Sequence, residues 1–185
     1  MICERVSRGS RRLKAMRVMV YLASLVMASL SLAGYLWHKQ SLQREDALVS
    51  QARTAVSEIH RVVKYRAATE DATLNQMGWP STIDPSWFGS RVPTNPLLSR
   101  DRPWVEVASS GETKLTDPPI RQVLGEGVAA FWYNPANGIV RARVGAAVSD
   151  EKALDLYNEI NGTTLRSLFP KSSEWGDSVI WAEAK

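Results

Sequence analysis

The chain has 185 residues, a formal net charge of +4 and 44% apolar side chains, enough for one folded domain and an anchor but not for two full domains. The basicity is local: six of the 23 Lys and Arg (Arg5, Arg8, Arg11, Arg12, Lys14, Arg17) and one of the 19 acids (Glu4) precede Val18, a balance of +5. The remainder holds 17 basic and 18 acidic side chains, so no basic stripe is left to follow a phosphate backbone, and nucleic acid is not an expected partner.

Residues 1–17 form a basic tail carrying the only cysteine, Cys3. A disulfide within the chain is therefore impossible, and the fold must rest on core burial. Cys3 precedes the apolar stretch, whereas a lipid-modified cysteine follows one, so it reads as a reduced thiol.

Val18–Trp37 is a run of twenty residues without a charge, VMVYLASLVMASLSLAGYLW. As a helix it would extend about 30 Å, the thickness of a bilayer's hydrocarbon core. Tyr21 stands near one end and Tyr35 and Trp37 near the other, where aromatic rings favour the lipid–water boundary. Lys and Arg beside a span resist translocation, which predicts a cytoplasmic tail and puts residues 38–185 on the far side of the membrane. Ser31-Leu32-Ala33 also fits a signal-peptidase site, and Ser10-Arg11-Arg12 is similar to a twin-arginine signal. The apolar run continues past Ala33 into what reads as the same helix, which favours retention of the anchor.

From His38 to Asn75 there is no Gly or Pro. Leu48, Ala52, Ala55, Ile59 and Val62 recur at steps of four and three, and Val49, Val56 and Val63 widen that stripe. This predicts one apolar face of an amphipathic helix, with Arg53, Glu58, Arg61 and Lys64 on the polar side. With no proline to interrupt it and only Gly34 to weaken it, one helix is expected from near Val18 to near Ala68, and helical periodicity has ended by Gly78-Trp79-Pro80. A proline-rich stretch follows, in which Trp79, Trp87, Phe88 and Trp104 are set among Pro80, Pro85, Pro93, Pro96 and Pro103. It predicts an ordered irregular connection pinned down by its aromatic rings.

Strands are expected at Pro103–Ala108, Gly127–Tyr133 and Ile139–Val144, with a shorter one near Thr113–Leu115 and a last one at Ser178–Ala182. Asn134–Gly138 supplies turn chemistry between the second and third, and IVRARV alternates apolar and basic residues as a strand with one wet face does. Ser149 suits a helix N-cap, Asp150 and Glu151 its first turn, and Asn161-Gly162 its stop.

The chemistry of an enzyme is missing. His38 and His60 have no partners at metal-ligand spacing, and the chain has no nucleophile elbow or phosphate-cradling glycine loop. Glu70-Asp71 and Asp150-Glu151 are adjacent acids that diverge on a helix. Asp101, Asp117 and Asp177 could hold calcium with loop carbonyls, but without regular spacing. Asn161-Gly162-Thr163 matches a glycosylation acceptor, a short pattern with many chance matches. No catalytic, cofactor-binding or metal residue is assigned, and no cofactor is expected.

The order of parts resembles type IV pilins and the pseudopilins of type II secretion. Trp79-Pro80, Val92-Pro93-Thr94-Asn95-Pro96-Leu97 and Pro103-Trp104 are similar to the pseudopilin proline-rich loop. Phe131-Trp132-Tyr133-Asn134-Pro135, continuing through Gly138 to Arg141, is similar to a pilin sheet hairpin. The resemblance implies an α+β fold, with a long helix, transmembrane in its first half and amphipathic in its second, packed on a small antiparallel sheet. It also implies a periplasmic domain on a single-pass bacterial inner-membrane protein, whose partners are the lipid bilayer and other membrane or secretion proteins, met through the helix or the aromatic loop. At the leader boundary, where the family carries a small residue and Phe-Thr-Leu-Ile-Glu, this chain has Ala15–Tyr21, and its apolar run lacks a glutamate. That leaves open a fixed membrane protein with a pilin-like ectodomain, and beside it an unrelated envelope-anchored binding module using the loop Trp79–Trp104.

Overall fold

A computed structural model describes residues 3–69 and 72–169. Helix α1 is assigned from Cys3 to Thr69, followed by strands β1 (Val105–Val107), β2 (Phe131–Asn134) and β3 (Ile139–Ala142) and helix α2 (Asp150–Asn161). The architecture is α+β, with a long N-terminal helix and a three-stranded sheet. The chain divides into two compact units, Met1–Asp46 and Ala47–Lys185.

In the first unit the described residues form the early part of α1. From Ser24 to Trp37 every residue is exposed. Among the described residues, no helix is long and apolar enough to cross a membrane. The stretch Ser24–Trp37 by itself covers only about 20 Å of helix axis, and the side chains of Val18, Val20 and Ala23, which complete the run, lie outside those described.

The second unit is built on the remaining turns of α1. Val49, Ala52, Ala55, Val56, Ile59 and Val63 are buried, while Leu48 is 37% exposed and Val62 half-buried. The stripe is real, but its centre is rotated toward the valines at 49, 56 and 63. It joins Phe131, Tyr133, Val140, Ala142 and Val144 of the sheet region and Ala153, Tyr157 and Ile160 of α2 in one core cluster. α1 is assigned as far as Thr69, in agreement with the expected end near Ala68. Beyond it Asn75 fixes a turn: its Oδ1 accepts from the N–H groups of Met77 and Trp79, and its Nδ2 donates to the Pro135 carbonyl at 2.6 Å.

The sheet is mixed, which corrects the antiparallel expectation. Its order is β1-β2-β3, with β1 parallel to β2 and β2 antiparallel to β3. β2 and β3 pair through the expected turn, where Gly138 takes φ +70° beneath the Trp79 ring. A parallel neighbour needs a long crossover, and residues 108–130 supply one without a helix. Thr113–Leu115 lies within it as turn and loop after a short 3-10 turn, Ser110–Glu112, so no strand forms there. Ser178–Ala182 lies outside the described residues.

That crossover also corrects the wet face expected of IVRARV. Phe131, Tyr133, Val140 and Ala142 face the helices, and Glu106, Trp132 and Arg141 share the opposite face. Trp132 is 0% and Arg143 1% exposed, because residues 112–121 fold across them. The amide of Asn134 donates to the carbonyls of Glu112, Thr113 and Leu115, and Arg143 Nε donates to that of Ile120.

α2 is capped as its sequence predicts. The Ser149 side chain accepts from the Lys152 N–H, Asp150 and Glu151 occupy the first turn, and Gly162 closes the helix at φ +62°.

Candidate interaction surfaces and the polar network behind the sheet

The aromatic loop turns its rings inward. Trp79, Trp87, Phe88 and Trp104 are half-buried against the core. Trp104 meets Phe88 edge-on at 5.5 Å and Phe131 at 6.3 Å between centroids, and its indole N–H donates to the Pro93 carbonyl at 2.7 Å. Trp79 covers the hairpin turn at Gly138. The Arg66 guanidinium sits 5.5 Å from the centre of the Trp87 ring, which ties the end of α1 to the loop. Asp84 begins the turn Pro85–Phe88 by accepting from the Ser86 N–H at 2.8 Å, a bond that holds its carboxyl below the usual range.

Behind the sheet lies a buried ionic network. Asp117 Oδ1 accepts from Arg141 Nε at 3.0 Å and from the Tyr157 hydroxyl at 2.9 Å, and Oδ2 accepts from the Thr116 hydroxyl at 3.0 Å. Burial, reinforced by the negative charge of Asp117, pushes the Tyr157 hydroxyl well above its usual pKa. Arg143 pairs with Glu106 at 2.8 Å and donates to the Ala129 and Ile120 carbonyls. Arg143, 1% exposed, needs such partners to stay charged in the interior, and the part-exposed Arg141 is held by Asp117, so both arginines serve the fold. Tyr133, buried, donates its hydroxyl to the Pro80 carbonyl at 2.7 Å, and burial raises its pKa.

Sequence-derived candidates for metal chemistry do not converge. Asp117 is committed to Arg141 and Tyr157, Asp101 is exposed, and Asp177 lies outside the described residues. Among the described residues no group of three or more His, Cys, Asp or Glu could hold a metal ion. His38 is exposed. His60 is half-buried, and its pKa is lowered first by burial and then by the cations Lys64 and Arg141. Glu70 and Asp71 fall outside the described residues, as does the side chain of Cys3, whereas Asp150 and Glu151 serve the α2 N-terminus.

The glycosylation pattern has a structural occupant. Asn161 Nδ2 donates to the Ala142 carbonyl at 2.9 Å and to that of Tyr157 at 3.0 Å, and its Oδ1 accepts the Ala142 N–H at 2.8 Å. The amide thus pairs with the outer edge of β3 as a neighbouring strand would, and a glycan on Nδ2 would remove that pairing.

No family model, curated protein or solved structure matches the chain. The polar network was not anticipated from the sequence, because Glu106, Asp117, Arg141, Arg143 and Tyr157 are scattered along it. A partial signal existed in Asn95-Pro96 and Asn134-Pro135. In both, the Asn Oδ1 accepts the N–H two residues on, which the intervening proline cannot supply, and the Nδ2 reaches a distant carbonyl.

Proposed function

We propose that this chain is a non-enzymatic, single-pass membrane protein with a pilin- or pseudopilin-like ectodomain, a structural or accessory component of a bacterial secretion or pilus-type system. The observation that carries the membrane reading is the exposure of α1 from Ser24 to Trp37, where Leu25, Met27, Leu30, Tyr35 and Trp37 are 63–77% exposed and no charge interrupts them. An apolar helix bare on all sides is stable when lipid covers it. The sequence extends the uncharged run back to Val18 and precedes it with six cations, which supports a cytoplasmic 1–17 and a periplasmic 38–185.

The pilin-like part is supported by the order of elements and by the α1 face buried against a small sheet. The parallel β1 departs from the meander that the resemblance implies. The rival of a ligand-binding module built on the aromatic loop is disfavoured, because its rings are occupied in packing. Deleting the gene in its host tests the role: protein export or surface-fibre assembly should fall, and full-length protein should restore it. A chain whose Leu25 and Leu30 are both changed to Asp should not. Unchanged export and fibre assembly in the deletion strain would reject the role.

A further inference from the structure

The two edges of the sheet are treated differently. On the outer edge of β3, Asn161 pairs with both backbone groups of Ala142, and Val144 exchanges bonds with the Arg121 carbonyl and the Val123 N–H. On β1, the Trp104 carbonyl accepts from the Phe131 N–H, and the Ala108 N–H donates to the Tyr133 carbonyl. The even spacing of a parallel ladder aims the peptide groups of Val105 and Val107 away from β2. Among the described residues they have no backbone partner. Both residues are half-buried, with their side chains against the core.

Glu106 selects what can add there. It points to the opposite face from its valine neighbours, bonds Arg143 at 2.8 Å and keeps 44% of its side chain exposed. A second copy is a poor occupant. The antiparallel register that overlaps all three residues, with Val105 and Val107 exchanging bonds, sets Glu106 against its own counterpart at the closest cross-strand distance. A strand with Lys or Arg opposite Glu106, flanked by apolar residues over Val105 and Val107, meets no such repulsion. We propose that the outer edge of β1 docks an extended segment of a partner protein with this alternating apolar–basic pattern, by strand addition. The proposal does not depend on the membrane reading.

The test uses the full chain in nonionic detergent and two capped, fluorescent pentapeptides, Val-Lys-Val-Lys-Val and Val-Glu-Val-Glu-Val. Anisotropy should show the lysine peptide binding about fivefold tighter or more, the scale of favourable against unfavourable cross-strand charge pairs. Hydrogen exchange at the Val105 and Val107 amides should slow when it binds. Glu106→Gln keeps an acceptor for Arg143 and should bring the two peptides within about twofold; it removes the charge paired with the buried Arg143 and should lower the melting temperature, so binding is compared well below the variant's own melt. Three results overturn the proposal: no peptide-dependent protection of the Val105 and Val107 amides, a lysine preference that survives in Glu106→Gln, or a concentration-dependent dimer with these amides protected. The first leaves Glu106 as a charge that merely blunts a short edge, and the last assigns the edge to a second copy.

Discussion

Replacing Asn161 by Ala removes the side chain that stands in for a strand beside β3. Ala142 is 0% exposed, so its N–H and C=O, now held at 2.8 and 2.9 Å, would be left without partners. An unsatisfied buried backbone group costs about 1–3 kcal/mol. Asn161 is itself half-buried, so water would reach part of the gap and the loss should be about 2–4 kcal/mol in all. Thr163→Val is the informative control. It destroys the glycosylation pattern equally well but removes only the 2.8 Å bond from the Thr163 hydroxyl to Asn158, and should cost about 1 kcal/mol. Urea unfolding followed by tryptophan fluorescence gives the two losses, and hydrogen exchange reports the Ala142 amide directly. Equal losses from the two variants, or unchanged exchange at Ala142 in Asn161→Ala, would refute the edge-pairing argument.

Ile59→Asp should abolish or severely destabilise the second unit, since Ile59 is 0% exposed at the centre of the α1 face. Arg61→Asp on the exposed side should be mild, and Leu48→Ala should cost under about 1 kcal/mol; equal thermal shifts from all three would mean the face is misplaced. Gly138→Ala combines a positive φ with a collision against the Trp79 ring and should cost about 2 kcal/mol or more. Adding Trp79→Ala should recover none of the φ strain but make the two losses sub-additive, and a simple sum in urea titrations would count against the stacking. For His60, burial and the cations Lys64 and Arg141 hold the folded pKa below 6.5. As pH falls from about 6.5 toward the folded value, the unfolded chain takes up a proton that the folded chain refuses, so stability declines with acidification. His60 is part-exposed and the effect should be about half a kcal/mol or less; pH-dependent melts in which His60→Gln keeps the same slope would rule out His60 as its source.

Local signals in the sequence were legible where one residue type has one physical use. Ser149, Gly138 and Gly162 marked a cap, a turn and a helix stop, and all three serve those roles. The α1 stripe was visible from spacing, but spacing alone could not choose between Leu48–Val62 and Val49–Val63 as its centre, because the sheet and α2 decide which side is covered. The parallel pairing of β1 was illegible for a related reason. Strand direction depends on where the crossover 108–130 travels, and that path is set by remote bonds from Asn134 and Arg143 to its carbonyls. Period-two alternation in IVRARV separated the two faces correctly but could not tell a wet face from one covered by a loop. The buried ion pairs followed from that loop and were hidden with it.

The central claim is that residues 1–17 and the sheet-bearing unit lie on opposite sides of a membrane, joined by an anchor the mature protein retains. Cys3 is the only cysteine, so a membrane-impermeant maleimide can read the tail directly, and Ser90→Cys at an exposed loop position can read the other side. In sealed spheroplasts of the Ser90→Cys variant, the account predicts that the thiol introduced in the loop is labelled at once and that Cys3 is labelled only after lysis. Both thiols should sit on one intact chain in the membrane fraction. Labelling of Cys3 in sealed spheroplasts, protection of the introduced loop thiol, or a soluble species beginning at Gly34 would contradict it.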